Sequence, residues 1–298
     1  MNQKYKGILY ILLSALCFAF MNTFVKLAGD LPSIQKSFFR NFVALIFAAI
    51  VLQRSGIGFS YKKENLKALI LRSTFGTIGI LCNFYAIDNL VLADASMLNK
   101  MSPFFAILFS FILLKERVDW VQALSVGIAF IGSLFIIKPS FQNVALIPAL
   151  SGFAGGMAAG IAYTFVRILG QRGEKGPFIV FFFSSFSCLA TLPFLIFDFH
   201  PMSRTQVIYL LLAGLAAAGG QFAITAAYCY APAKEISVYD YSQIIFSAIL
   251  GFMLFGQIPD VYSTLGYMII CSMAVFMFLY NTGKIKIRTK NKGTNKVN

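Results

Sequence analysis

The chain has 298 residues, of which 58% are hydrophobic and only 12% charged. Soluble domains carry about 25% charged residues, so the composition excludes a soluble enzyme or binding module and indicates an integral membrane protein. The formal net charge is +14, yet the basic residues are distributed as a membrane surface would sort them, which argues against a nucleic-acid partner.

Ten apolar stretches follow in order: Ile8–Leu27, Ile34–Leu52, Leu66–Ile87, Ala95–Leu114, Val121–Ile137, Ile147–Leu169, Phe178–Phe197, Val207–Tyr230, Ile236–Phe255 and Tyr262–Tyr280. About 20 apolar residues at ~1.5 Å rise match a ~30 Å hydrocarbon layer, so each is predicted to cross the bilayer as a helix. Short loops and two tails are all that remain, with no room for a separate soluble domain. The first stretch has no clear small-residue cleavage site and is expected to persist as a helix.

Lys4, Lys6, Arg54, Lys62, Lys63, Lys67, Lys115, Arg117, Arg172, Lys175, Lys234 and a basic tail fall on one side of these spans. Only Lys26, Lys36, Lys138 and Arg204 fall on the other. The positive-inside rule then puts both termini in the cytoplasm of a cell (inner) membrane. The tail, residues 284–298, either meets anionic lipid there or is simply solvated.

Several spans carry polar groups that hydrocarbon penalises. Span 1 ends in Lys26, expected to snorkel outward or to point into a vestibule. Span 2 holds Arg40 about two turns inside, and span 3 holds Arg72 near its cytoplasmic end, expected as a snorkelling anchor. Span 4 contains Asn99 and Lys100, followed by Pro103, which should kink the helix near Asn99. A cation inside a span costs at least ~2.5–3.5 kcal/mol on insertion scales, so Lys100 should face a cavity or a partner. In span 6, Gly152, Gly156 and Gly160 make two GxxxG steps. Span 8 has Gly214, Gly219 and Gly220, and both stripes are expected to pack within the molecule, with a dimer seam as the alternative. Span 9 opens with Lys234 and Glu235, an interfacial pair, and then carries Tyr239, Asp240 and Tyr241.

A shift of 141 residues lays the chain on itself without gaps. Asn22–Gly29 falls on Tyr163–Gly170, Gly79 on Gly220, Ala86 on Ala227, Ser96 on Ser237 and Asp119 on Asp260. One register across five spans indicates a duplication, with repeats at 1–141 and 142–283. Five is odd, so the second copy must enter from the opposite side. The expected fold is all-α and polytopic: ten transmembrane helices as two inverted five-helix repeats. Secondary transporters use that architecture, with a substrate site near the midplane between the halves.

The residues also resemble the drug/metabolite transporter superfamily, specifically its EamA-type members. The resemblance rests on Phe38-Phe39-Arg40-Asn41, Leu92-Ala93-Asp94-Ala95-Ser96, Ser102-Pro103-Phe104 and Leu113-Leu114-Lys115-Glu116. It covers the whole chain. The second copy departs from it, with Phe181-Phe182 where the first has Arg40-Asn41, and Gly256-Gln257 at the end of span 9. The resemblance implies carriage of small organic metabolites, commonly amino acids and their derivatives.

Lys100 and Asp240 lead the candidate substrate-binding residues, read as lying at opposite depths of one pathway, Lys100 for a carboxylate and Asp240 for an ammonium or a proton. Asn99 and Tyr241 accompany them, and Arg40 is the third charged candidate. Tyr163, Tyr228, Tyr239, Asn22, Asn83, Gln221 and Gln243 need hydrogen-bond partners in hydrocarbon and could line a polar cavity. The expected activity is secondary transport of a small metabolite, an amino acid or carboxylate-bearing derivative, by alternating access through a central cavity. Flippase-like transport of an amphiphile or lipid-linked substrate is the alternative the many Phe residues suggest, and a non-transporting membrane subunit or sensor is another. There is no GxxxxGK[ST] loop, a single histidine (His200), and no CxxC among the five cysteines. No catalytic residue, metal or cofactor is therefore expected. The expected partners are a small-molecule substrate and membrane lipid. Proton coupling through Asp240 or Glu235 stays open, as does the choice between monomer and homodimer.

Overall fold

A computed structural model describes residues 3–54, 56, 58, 59, 61–114, 119–138, 145–230 and 237–285. Among these residues every regular element is helical. The first repeat contributes α1 (Gln3–Leu27), α2 (Ser33–Arg54), α3 (Leu66–Asn89), α4 (Leu92–Asn99), α5 (Ser102–Leu114) and α6 (Trp120–Ile137). The second contributes α7 (Leu146–Gln171), α8 (Gly176–Phe197), α9 (Arg204–Tyr230), a 3-10 turn (Ser237–Tyr241), α10 (Ser242–Phe255) and α11 (Val261–Asn281). Nine segments of the described residues are long and apolar enough to cross a membrane, and a shorter apolar one, Tyr239–Phe255, is the ninth span. Lys115, Glu116, Arg117, Lys234 and Glu235 lie outside the described residues, as does the Tyr228 side chain.

The packing obeys the repeat. The most extensive contact, α1 against α9, has its repeat counterpart in α7 against α3, the next most extensive. Likewise α2 on α9 mirrors α8 on α3, and α10 on α1 mirrors α5 on α7. Equivalent helices meet each other in the pairs α2–α8 and α6–α11, and span 4 meets its equivalent, span 9, through α4 and α10. Those self-pairings mark the pseudo-twofold axis in the membrane plane that an inverted repeat requires. Asp119 and Asp260, matched by the shift of 141, are the N-caps of α6 and α11. The Asp260 carboxylate accepts from the Ser263 N–H at 2.8 Å, and the Asp119 N–H donates to the Gln122 side chain at 3.1 Å.

Span 4 is interrupted beside Asn99, at Lys100 and Met101. The Lys100 N–H still bonds the Ser96 carbonyl at 3.0 Å, but the Met101 N–H turns to that of Leu98 at 3.2 Å, and α5 restarts at Ser102. Pro103 supplies no N–H and crowds the turn before it, so the ladder cannot run through. Span 9 changes from 3-10 to α at Tyr241, the repeat equivalent of Lys100. Interrupted helices are tolerated at membrane depth only where protein covers the freed backbone. Here α7 covers it. A Cβ on Gly156 would stand 2.4 Å from the Leu98 carbonyl oxygen, and one on Gly160 would stand 2.8 Å from that of Ser102. On α9, Gly214 and Gly220 likewise make room for Val43 and Phe18. Both glycine stripes therefore pack within the molecule.

Lipid tails are as apolar as leucine, so close van der Waals packing rather than water exclusion holds such helices together. Gly156→Ala pushes a methyl into main chain that has no free volume, and overpacking of this kind costs about 1–3 kcal/mol. Gly127→Ala, with nothing within 4 Å of the added carbon, is the control and should melt with the wild type. Thermal unfolding of the two purified variants in detergent checks this, and equal melting temperatures would discard the clamp.

Candidate functional site

A polar cavity lies between the two repeats. It is lined by residues from eight spans, all but the fifth and tenth. Asn22, Arg40, Arg72, Asn83, Asn99, Lys100, Tyr163, Gln221 and Gln243 contribute its polar groups. Phe18, Met21, Phe84 and Phe183 are among its apolar walls. The enclosed space is about 100 Å³, well under the ~300–1,000 Å³ of small-molecule pockets.

Two arginines dominate its electrostatics. Arg40 is 3% exposed and Arg72 6%. The Arg40 Nη1 donates to the Asn41 Oδ1 at 2.5 Å. Asn41 is itself fixed by donating to the Ser37 carbonyl at 2.9 Å and to the Ser187 hydroxyl at 2.8 Å. The Arg40 Nε lies buried with no acceptor. The Arg72 guanidinium stacks on the Phe183 ring at 3.8 Å, and its Nε and Nη1 are buried with no acceptor. It occupies the space beside Gly76, where a Cβ would come within 2.5 Å of Nη1. Among the described residues neither arginine has a carboxylate partner, and none lines the cavity. Arginine does not deprotonate in proteins, so the chamber presents two fixed positive charges and idle N–H donors.

Arg72 is the residue the sequence missed. Its nearness to the end of span 3 pointed to a snorkelling anchor, but its side chain runs along the helix toward the midplane instead. The small residue one turn on, Gly76, was the available signal, because a guanidinium beside its own helix needs such a gap.

Lys100 and Asp240 do not lie at opposite depths. The Lys100 Nζ meets the Asp240 Oδ2 at 2.5 Å, with side chains 7% and 13% exposed. The Tyr241 hydroxyl donates to the Lys100 carbonyl at 3.1 Å. Tyr241 is the repeat mate of Lys100, so both contacts lie at the twofold, where the break in span 4 meets the 3-10 turn of span 9. Depth counted along each span misled, because an inverted repeat brings equivalent positions together at the axis. Lys100 still borders the cavity, while Asp240 stands behind it with Oδ1 buried and without a donor. Tyr241 adjoins the pair but is not on the cavity wall. Tyr239 is remote, edge-on to Phe278 at 6.2 Å.

The remaining candidates, Asn22, Asn83, Asn99, Gln221, Gln243 and a half-exposed Tyr163, all border the same chamber. The Asn22 Nδ2 donates to the Ser96 hydroxyl at 3.4 Å, and Ser96 donates to Ser247 at 2.8 Å. Lys26 neither snorkels nor enters the cavity. Its Nζ donates to the Ile87 and Leu90 carbonyls at 2.7 and 2.6 Å, satisfying the C-terminal end of α3. Beside it the fully buried Lys36 pairs with Asp88 at 2.5 Å.

The family model described as the EamA-like transporter family matches residues 5–138 and again 146–279. This chain belongs to the EamA-like transporter family. The second EamA match begins 141 residues after the first, the shift that aligns the two halves of the sequence. The chain is 31% identical to the pseudopaline exporter CntI of Pseudomonas aeruginosa over 89% of its length and 93% of that protein's. It is 30% identical to an uncharacterized transporter of Helicobacter pylori, covering 89% of this chain and 92% of that one. A riboflavin transporter of Vibrio cholerae is 26% identical over 95% and 96% of the two chains. A protein crystal structure that shares 13% identity superposes with a TM-score of 0.65 over 94% of this chain and 99% of that one, a likeness of fold alone. The EamA family and these relatives place the chain among membrane transporters of small molecules rather than enzymes.

Proposed function

We propose that this EamA-like protein is a secondary transporter carrying a small, carboxylate-bearing organic molecule through the chamber between its repeats by alternating access. One observation carries the reading: Arg40 and Arg72 are buried in the chamber with unused N–H donors and, among the described residues, no carboxylate partner. A buried cation without a partner is costly, and a substrate anion is the partner that relieves it. Charge-assisted bonds from guanidinium to carboxylate are about twice as strong as neutral ones. Asn22, Asn83, Asn99, Tyr163, Gln221 and Gln243 would hold the substrate's other polar groups. The Lys100–Asp240 pair, with Tyr241 beside it, would serve as the point about which spans 4 and 9 rearrange.

The repeats are taken as 1–141 and 142–283, with 284–298 as a basic tail. The face bearing both termini also bears Lys62, Lys63 and Arg172, which supports a cytoplasmic assignment in the inner membrane. A polar chamber favours transport over a sensor, whose interior would be sealed and apolar. That relatives are named as an exporter and a riboflavin transporter supports small-molecule cargo.

Uptake of radiolabelled acidic metabolites into proteoliposomes tests the proposal, with the neutral amide of each as a control. The expected result is saturable flux for at least one acid and little for its amide. Flux of amides and acids alike would remove the carboxylate requirement.

A further inference from the structure

The two arginines are not duplicates of one another, and their placement says something about the cargo. Arg40 is seven residues into α2, roughly 10 Å from the end of that helix opposite the termini. Arg72 is six residues into α3, roughly 9 Å from the end near the termini. They approach the chamber from opposite membrane faces. Their links to α8 give the order: Arg72 lies over Phe183, while Arg40 bonds Asn41, whose amide in turn bonds Ser187. Phe183 and Ser187 are one turn apart, about 6 Å along the axis. The guanidinium groups are thus stacked along the transport direction, about a helical turn from each other.

Each is oriented by its own support, an amide for Arg40 and an aromatic face for Arg72, and each has a buried donor left over. A single carboxylate bound bidentately engages one guanidinium fork and leaves the other charge uncompensated. Lys100 offers no third seat, because Asp240 already neutralises it.

We infer that the substrate carries two anionic groups, one for Arg40 and one for Arg72, spaced as in a four- or five-carbon diacid and aligned along the pore. This rests on the carboxylate reading above and narrows it. Arg72 becomes the determinant that separates diacids from monoacids, since Arg40 alone would accept either.

Thermal unfolding of the purified full-length protein in detergent, titrated with matched pairs at constant ionic strength, tests it. The probes are aspartate against asparagine, glutamate against glutamine, and succinate against succinamate. At least one diacid should stabilise the wild type at a concentration about tenfold or more below that of its monoamide. In Arg72→Gln and in Arg40→Gln that difference should vanish while the monoamide response stays. Arg72→Lys, which keeps the charge but not the fork, should retain a reduced preference. Equal stabilisation by diacid and monoamide in the wild type overturns the two-anion inference and leaves a one-carboxylate substrate standing. No stabilisation by any member of the three pairs overturns both. A preference that survives both glutamine variants places diacid recognition elsewhere and also overturns the inference.

Discussion

Lys100→Ala loses about 3–5 kcal/mol of stability, the cost of leaving one partner of a buried ion pair without the other. Asp240 already has one carboxylate oxygen without a donor, so removing the Lys100 ammonium strands the whole charge at membrane depth. The Tyr241 hydroxyl donates to the Lys100 main-chain carbonyl, which the alanine variant retains, so the loss comes from the charge alone. Asp240→Ala is equivalent in size and leaves an unpaired lysine. The double variant Lys100→Met with Asp240→Leu removes both charges and should recover most of the loss, since apolar replacement of a complete buried pair is often neutral or better. Melting curves of the three variants in detergent provide the double-mutant cycle. Additive losses in the double variant would show that the two side chains act independently.

Arg72→Met moves stability the other way. Among the described residues no carboxylate compensates this guanidinium, and the Phe183 ring is what opposes its desolvation. Cation–π contact returns roughly 2 kcal/mol when desolvated, against an effective penalty of several kcal/mol for a buried ion. Methionine has similar length and flexibility and fills the slot beside Gly76. The ligand-free variant should gain about 1–3 kcal/mol, by the difference between those two quantities. Transport of the acidic substrate should fall about 100-fold, corresponding to one lost charged hydrogen-bond set of ~1.5–3 kcal/mol. Melting temperature and proteoliposome flux measured on one preparation give both signs. A variant that is destabilised and still transports would show that Arg72 is structural.

Contrasting signs for two cations in one chamber explain what could and could not be seen in the sequence. Span positions, the duplication and its inversion were legible because apolar run length and odd span number are set by the bilayer. Lys100, Asp240 and Arg40 stood out because hydrocarbon makes any charge conspicuous. Which cation is paired was not legible. Lys100 and Asp240 are 140 residues apart, and only the folding of one repeat onto the other brings them into contact. Arg72 was hidden by a count from the nearest helix end, which ignores that a long side chain can run toward either face. Tyr239 was over-read, since a tyrosine in a span can also settle against an aromatic neighbour, as it does on Phe278.

The repeat relation has a last consequence, through the two positions where it fails chemically. The counterparts of Arg40 and Arg72 in the second copy are Phe181 and Ala213. Had both copies carried the cations, a cargo turned end over end would fit equally well, and entry from either compartment would be one and the same event. With the charges in a single copy, an unsymmetrical cargo has one seated pose. It must then arrive head first from one compartment and tail first from the other. Half-saturation should therefore differ between the two compartments even though the equilibrium distribution cannot, with maximal rates differing in the same proportion, so which copy holds the arginines sets the concentration at which each side saturates and not a net direction.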